Sequence, residues 1–118
     1  MEAKELREGN LININGKEKA VTALEIAVFN YDSLEIKPIT LTEEWFVEFG
    51  AKLKKVAGMD NEYNLKLGEV EISWDKKTGV TVFVLDTLES FRVSYIKYVH
   101  QFQNFCFALT NEELTIKE

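Results

Sequence analysis

His100 and Cys106 are the side chains in this chain best suited to chemistry. An imidazole can act as a general base or a metal ligand, and a thiolate can act as a nucleophile. They are the only His and the only Cys among the 118 residues. On a helix over residues 98–109, at about 100° per residue, the two side chains point about 120° apart. We therefore predict no shared reaction centre, a structural or surface role for His100, and a small buried apolar role for Cys106.

The acidic residues give no signature of a site either. Glu43 and Glu44 are adjacent, as are Glu112 and Glu113, and adjacent side chains diverge instead of converging on one substrate. The chain has no phosphate-binding glycine loop, no HExxH, no CxxC and no acidic calcium loop. We predict no catalytic residue, no metal, no cofactor and a protein that is not an enzyme.

Composition and charge limit the classes of protein that this chain can belong to. Hydrophobic residues make up 46% and charged residues 29%, which is typical of a folded globular domain. A net charge of -6 repels phosphate backbones and anionic membranes. The amino terminus lacks the apolar run of a signal peptide, and no segment approaches the ~20 apolar residues of a membrane span. We predict one domain over residues 1–118, located in the cytoplasm, with no membrane partner and nucleic acid disfavoured.

Residues 10–39 predict a small β lobe of three or four short strands. Asn15-Gly16 is the turn pair most typical of a two-residue hairpin, because both central residues need a positive φ. A spacing of two within residues 20–29 favours a strand, with a helix as the alternative. Turn residues follow at 30–33. So small a meander could curl into an SH3-like half-barrel.

A short helix is predicted next. Thr42 suits the N-cap, two glutamates occupy the first turn, and Leu41 can pack onto Phe46 as a hydrophobic staple. Gly50 can end the helix in the left-handed conformation. Continuation through residues 51–56 is the alternative.

The remainder predicts an antiparallel sheet covered by a C-terminal helix, and the fold class is therefore α+β. Residues of alternating hydropathy occur in four segments, 63–67, 70–74, 80–84 and 91–95, with 53–56 as a possible fifth strand. The helix over residues 98–109 has one apolar arc, formed by Tyr98, Val99, Phe102, Phe105, Cys106 and Leu109. Asn111 can end it in the left-handed conformation, and residues 114–116 can return as a short edge strand.

One stripe of this helix lies outside the apolar arc. It consists of His100, Gln103 and Phe107, and it can face either the small β lobe or a partner protein. Packing within the chain is the favoured alternative. We retain these three residues as a possible interaction surface.

Three phrases of the sequence are similar to those of a known group of proteins. They are ELREGNL, PITLTEEWFVEFG and IKYVHQFQNFCFALTNEELTI. They resemble small uncharacterised proteins of Bacteroides-type gut bacteria and their phages or prophages, which show an LR-x-GN opening, an LTEEW helix and a KYVHQLQNLYFALTGEEL-like close. Here Phe102, Phe105, Cys106 and Asn111 stand where those proteins have Leu, Leu, Tyr and Gly. The resemblance implies a genomic setting, no catalytic residue, and a packing role for the last motif.

Two functions follow as expectations. The first is a non-enzymatic phage or prophage-type protein that acts through protein–protein interaction or self-association, using helix and sheet-edge surfaces. The partner is an unknown protein or a second copy. The alternative is a nucleic-acid-associated accessory protein that uses the SH3-like lobe, and the acidity of the chain opposes it.

Overall fold

Two antiparallel sheets and three α-helices form the fold of the described residues. The structure is a computed structural model that describes residues 3–27, 35–54, 61–114 and 116. After a 3₁₀ helix at Ala3–Glu5, the elements are β1 (Leu11–Ile14), β2 (Lys17–Ala20), α1 (Ala23–Ala27), β3 (Ile36–Lys37), α2 (Glu43–Glu48), β4 (Lys52–Lys54), β5 (Glu62–Leu67), β6 (Val70–Asp75), β7 (Gly79–Val84), β8 (Glu89–Val93) and α3 (Val99–Thr110). The predicted α+β class is confirmed.

The smaller sheet has the strand order β2-β1-β3. Asn15 and Gly16 have φ values of 52° and 86°, and the hairpin pairs Ile14 with Lys17, as the turn chemistry predicts. On one face of this sheet, Ile12 and Ile14 pack with Leu6 and Val21 in a small core of their own.

The prediction of a strand over residues 20–29 was wrong, because α1 forms there. The Glu25 N–H donates to Thr22 Oγ1 at 3.2 Å, and the Thr22 N–H donates to the Glu25 carboxylate at 3.0 Å. This reciprocal capping box satisfies two backbone donors at the helix start, a gain that a short strand cannot match. Residues 28–34, with the predicted turn at 30–33, and residues 55–60 lie outside the described residues.

Helix α2 begins and ends where the sequence predicts. Thr42 occupies the N-cap position, and Gly50 has a φ of 95°. The Gly50 N–H donates to the Val47 carbonyl at 3.0 Å, and the Ala51 N–H donates to the Phe46 carbonyl at 2.9 Å. These two bonds are the Schellman motif, which only a residue tolerant of the left-handed region completes without strain. Continuation through residues 51–56 does not occur, since β4 begins at Lys52.

The larger sheet has five strands in sequence order, β4-β5-β6-β7-β8, so the possible fifth strand is present. Leu65, Ile72 and Val82 are buried on the face that α2 and α3 cover. Phe46 of α2 lies between the rings of Phe102 and Trp74, with ring centroids 4.9 and 5.0 Å away. These aromatic contacts join both helices to the sheet.

Helix α3 follows most of its predicted pattern. Val99, Phe102 and Cys106 are buried, Leu109 at the end of the arc is exposed, and Asn111 is left-handed with a φ of 59°. Backbone bonds tie the start of the helix to residues 39–41, with the Leu41 N–H donating to the Lys97 carbonyl at 3.0 Å.

The edge strand predicted at 114–116 does not form in the described residues. Leu114 is buried in the larger core, and Ile116 lies outside any strand. The buried Leu114 side chain therefore anchors the segment after α3. Residue 115 lies outside the described residues.

Replacing Gly50 with Ala tests the end of α2. A Cβ in the left-handed region costs about 1–2 kcal/mol, so Gly50→Ala should lower the free energy of unfolding by that amount in urea denaturation. Glu48→Ala, at an exposed position of the same helix, should change it by less than ~0.5 kcal/mol. Equal effects of the two changes would contradict the Schellman assignment.

Candidate functional site

Gln103, the central residue of the predicted stripe, faces β1. Its side chain is 2% exposed, and its Oε1 accepts the Leu11 N–H at 2.7 Å. Its amide nitrogen lies 3.4 Å from the Gly9 carbonyl oxygen. Gln103 therefore supplies a hydrogen-bond acceptor to the Leu11 N–H of β1, which lies beyond the two residues that pair with β3.

Asn104, the next residue of α3, also forms hydrogen bonds with the N-terminal segment. Its Oδ1 accepts from Asn10 Nδ2 and from Arg7 Nε, each at 2.8 Å. Its Nδ2 donates to the Glu5 carbonyl at 2.9 Å. Asn10 is fully buried, and its own Oδ1 accepts the Arg7 N–H at 2.7 Å. We call Arg7, Asn10, Gln103 and Asn104 the N-terminal lock.

Phe107 lies at the margin of this lock. The Arg7 guanidinium stands over its ring at 4.1 Å from the centroid, and Arg7 also pairs with Glu113. The cation–π contact explains why an aromatic ring is displaced from the main apolar arc of α3. The stripe thus packs within the chain, which was the favoured alternative. Because His100 and Gln103 are buried, only Phe107 keeps a partly exposed surface for a partner.

His100 is buried between α3 and the N-terminal 3₁₀ helix. It is 1% exposed and stacks on Tyr98 with ring centroids 6.0 Å apart. Within the described part of the chain neither ring nitrogen makes a hydrogen bond, and Nε2 lies 3.5 Å from a Glu5 carboxylate oxygen. Burial lowers the pKa of His100, and the Glu5 carboxylate offsets part of that effect. The neutral ring is therefore the folded form at neutral pH.

Cys106 is the small buried residue that the sequence predicts. It is 1% exposed, and burial raises the pKa of its thiol to about 12. A thiol with this pKa forms almost no thiolate near pH 7 and is a poor nucleophile. Cys106 and His100 also line different grooves, so they do not form one reaction centre.

A groove of about 610 Å³ lies beside the C-terminal ends of α2 and α3. Its charged lining is of both signs and includes Lys52, Lys66, Glu71, Glu112 and Glu113. Over residues 3–27, 35–54, 61–114 and 116, no cluster of three His, Cys, Asp or Glu residues is arranged to hold a metal ion. The mixed lining selects no ligand class.

Exposed apolar side chains concentrate at the opposite edge of the larger sheet. We define the β8 edge surface as the exposed residues Phe83, Leu85, Leu88, Phe91 and Tyr95 around this edge, where Phe83 and Phe91 lie on opposite faces of the sheet. Phe83, Leu85 and Leu88 line one shallow groove of about 300 Å³. Phe91 is 48% exposed although it lies on the face of the sheet that packs on the helices. Helix α3 therefore leaves β8 partly uncovered.

Leu88 is the most unusual residue of this surface. It is 87% exposed and has a φ of 59°, in the turn between β7 and β8. Its N–H donates to the Val84 carbonyl at 2.9 Å, which fixes the left-handed conformation at the end of the turn. Gly or Asn would meet this need at lower cost. The sequence contains a leucine among the turn residues 86–90, but we did not predict an exposed apolar surface from it.

Comparison with known proteins adds no identity. No protein-family model, curated protein or solved structure matches this chain. No helix in the described ranges combines the length and hydropathy needed to cross a bilayer. The geometry of the lock and of the β8 edge surface is therefore what bears on function.

Removing the Asn104 side chain tests the lock. Asn104→Ala leaves Asn10 without its acceptor and removes the acceptor of Arg7 Nε, so the free energy of unfolding should fall by about 1–3 kcal/mol in urea denaturation. Asn64→Ala, at a half-buried position of β5, is the matched control and should cost less than ~1 kcal/mol. A smaller loss for Asn104→Ala than for the control would contradict the lock.

The buried imidazole predicts a pH dependence. The ordinary pKa of His is 6.5, and the folded value is lower. Its contribution to stability is therefore fully present above pH 6.5 and is lost as the pH falls through the folded pKa, because the unfolded chain takes up the proton first. Urea denaturation between about pH 7 and 5.5, above the range in which most carboxylates titrate, should show this decrease. His100→Phe should remove it, and identical pH profiles for the two proteins would contradict the prediction.

Proposed function

We propose that this chain is a non-enzymatic binding protein that acts through protein–protein interaction or self-association. The β8 edge surface is its contact site. The resemblance to small proteins of Bacteroides-type bacteria and their phages or prophages suggests the setting. What the chain binds is, on this proposal, another protein or a second copy.

The observation that carries the proposal is Leu88. A leucine in the left-handed conformation costs about 1–2 kcal/mol, and burial within the chain does not offset that cost at 87% exposure. Backbone strain concentrates at sites where it serves a function. An exposed, strained apolar side chain that lines a groove with Phe83 and Leu85 is therefore best explained by a contact with another molecule.

The two edges of the larger sheet support the same site. An edge strand offers unpaired backbone groups to another chain, and in the described residues the edge strands of this sheet are β4 and β8. Strand β8 has five residues and carries Phe91 at its centre. Its unpaired side and its exposed aromatic ring together suit strand addition by a partner.

Binding to nucleic acid is the second candidate, and it ranks lower. It depends on the predicted SH3-like character of the N-terminal sheet. Two cations of that sheet are paired: Lys19 lies 3.1 Å from Glu25, and Lys37 lies 2.8 Å from Glu35. Pairing lowers the positive potential that a phosphate backbone would meet.

Leu88→Asn tests the proposal because it should affect stability and binding in opposite directions. Asn tolerates the left-handed region, so the free energy of unfolding should rise by about 1 kcal/mol. Binding should weaken about five-fold or more because an apolar contact is lost. Binding is measured as self-association in sedimentation velocity and as capture of proteins from bacterial and phage lysates.

Leu24→Asn is the matched control, since Leu24 is also exposed but lies on α1. It should leave binding unchanged. A wild-type chain that stays monomeric and retrieves the same proteins as Leu88→Asn would overturn the proposal.

A further inference from the structure

We propose that the partner of β8 is the β8 strand of a second copy of this chain. The two strands pair antiparallel about a two-fold axis that passes through Phe91 and stands perpendicular to the sheet. Two five-stranded sheets then become one ten-stranded sheet. This inference rests on the proposed function and names its partner.

The register within the chain defines the faces of β8. Val80 pairs with Val93, Val82 with Phe91 and Val84 with Glu89, so the odd-numbered residues of β8 lie on the face covered by the helices. A two-fold axis perpendicular to the sheet keeps the same face toward the same side in both copies. Odd residues must therefore lie opposite odd residues.

Charge excludes one of the allowed registers. An axis through Phe91 places Glu89 opposite Val93 and Ser90 opposite Arg92, so no like charges oppose each other. An axis through Arg92 would place the two guanidinium groups face to face, which is unfavourable. Strand β8 has one acid and one base, so this edge is neutral although the whole chain carries -6.

The apolar side chains are complementary in the same register. Phe91 lies opposite Phe91 of the second copy, and aromatic cross-strand pairs stabilise sheets. Leu88 and Ser94, which flank β8, come opposite each other in this register, so the exposed Leu88 side chain lies at the end of the paired strands. Five paired residues make a small interface, so the dissociation constant should be on the order of 10–100 μM.

Single cysteine substitutions in the whole chain test both the pairing and its register. A disulfide needs Cα atoms less than about 7 Å apart, which directly opposed residues satisfy. Phe91→Cys should form a disulfide-linked dimer under mild oxidation. Ser90→Cys alone and Arg92→Cys alone should each remain monomeric, because each residue is offset by two positions along the strand from the same residue of the second copy. An equimolar mixture of the two variants should cross-link, because Ser90 lies opposite Arg92. Cys106 is buried and serves as a common background.

The yield of dimer on a non-reducing gel should be about ten-fold higher for Phe91→Cys than for Ser90→Cys alone. Sedimentation of the wild-type chain should show a reversible dimer that Leu88→Asn weakens. Dimers without this cross-linking pattern would overturn the register and the proposed pairing. A monomeric chain that captures another protein in a Leu88-dependent manner would overturn self-pairing and leave the proposed function standing. A chain that does neither would overturn both.

Discussion

The hydrogen bonds between Gln103, Asn104 and the N-terminal segment join the two cores of this protein. The smaller core contains Ile12 and Val21, and the larger one contains Phe46 and Phe102. The apolar arc of helix α3 packs in the larger core, and its amide side chains bond to Asn10 and to Leu11 at the start of β1, the strand that also carries Ile12 of the smaller core. Helix α3 is covered on two sides, and on the side of the N-terminal segment the buried polar groups need hydrogen-bond partners. Amide side chains supply these partners without burying a charge. The phrases ELREGNL and HQFQN thus meet in space, and their residue types suit packing more than reaction.

Much of the fold follows from local signals. The hairpin at Asn15, the helix from Thr42 to Gly50 and the five-stranded meander depend on turn, cap and alternation patterns within a few residues. Helix α1 was ranked second to a strand because the alternating pattern and the Thr22–Glu25 capping box compete over the same residues. The stripe with Gln103 was expected to face the small β lobe or a partner, but the hydrogen bonds of the lock were not predicted, since amide side chains on a helix are usually exposed and their partners lie more than ninety residues away.

The exposure of β8 has a geometric cause that sequence patterns do not contain. Five strands spaced about 4.8 Å apart place the outer strands about 19 Å from each other, whereas a helix is about 10 Å wide. Helices α2 and α3 together cover the part of the sheet around Leu65 and Val82. Phe91 has the same alternation as residues of the covered strands, so its exposure depends on where α3 lies and not on its neighbours in the chain.

The strand order of the larger sheet also has a consequence for how the chain folds. Each strand pairs with the next one along the chain, so every loop that must close is short and costs little entropy. The lock is different, because the Arg7–Asn104 contact spans 97 residues. During synthesis the β1–β2 hairpin is made before α3, so the lock cannot form until α3 has also been made. We therefore expect the meander to form early, and docking of the first strand onto the last helix to be the late step that completes the native state.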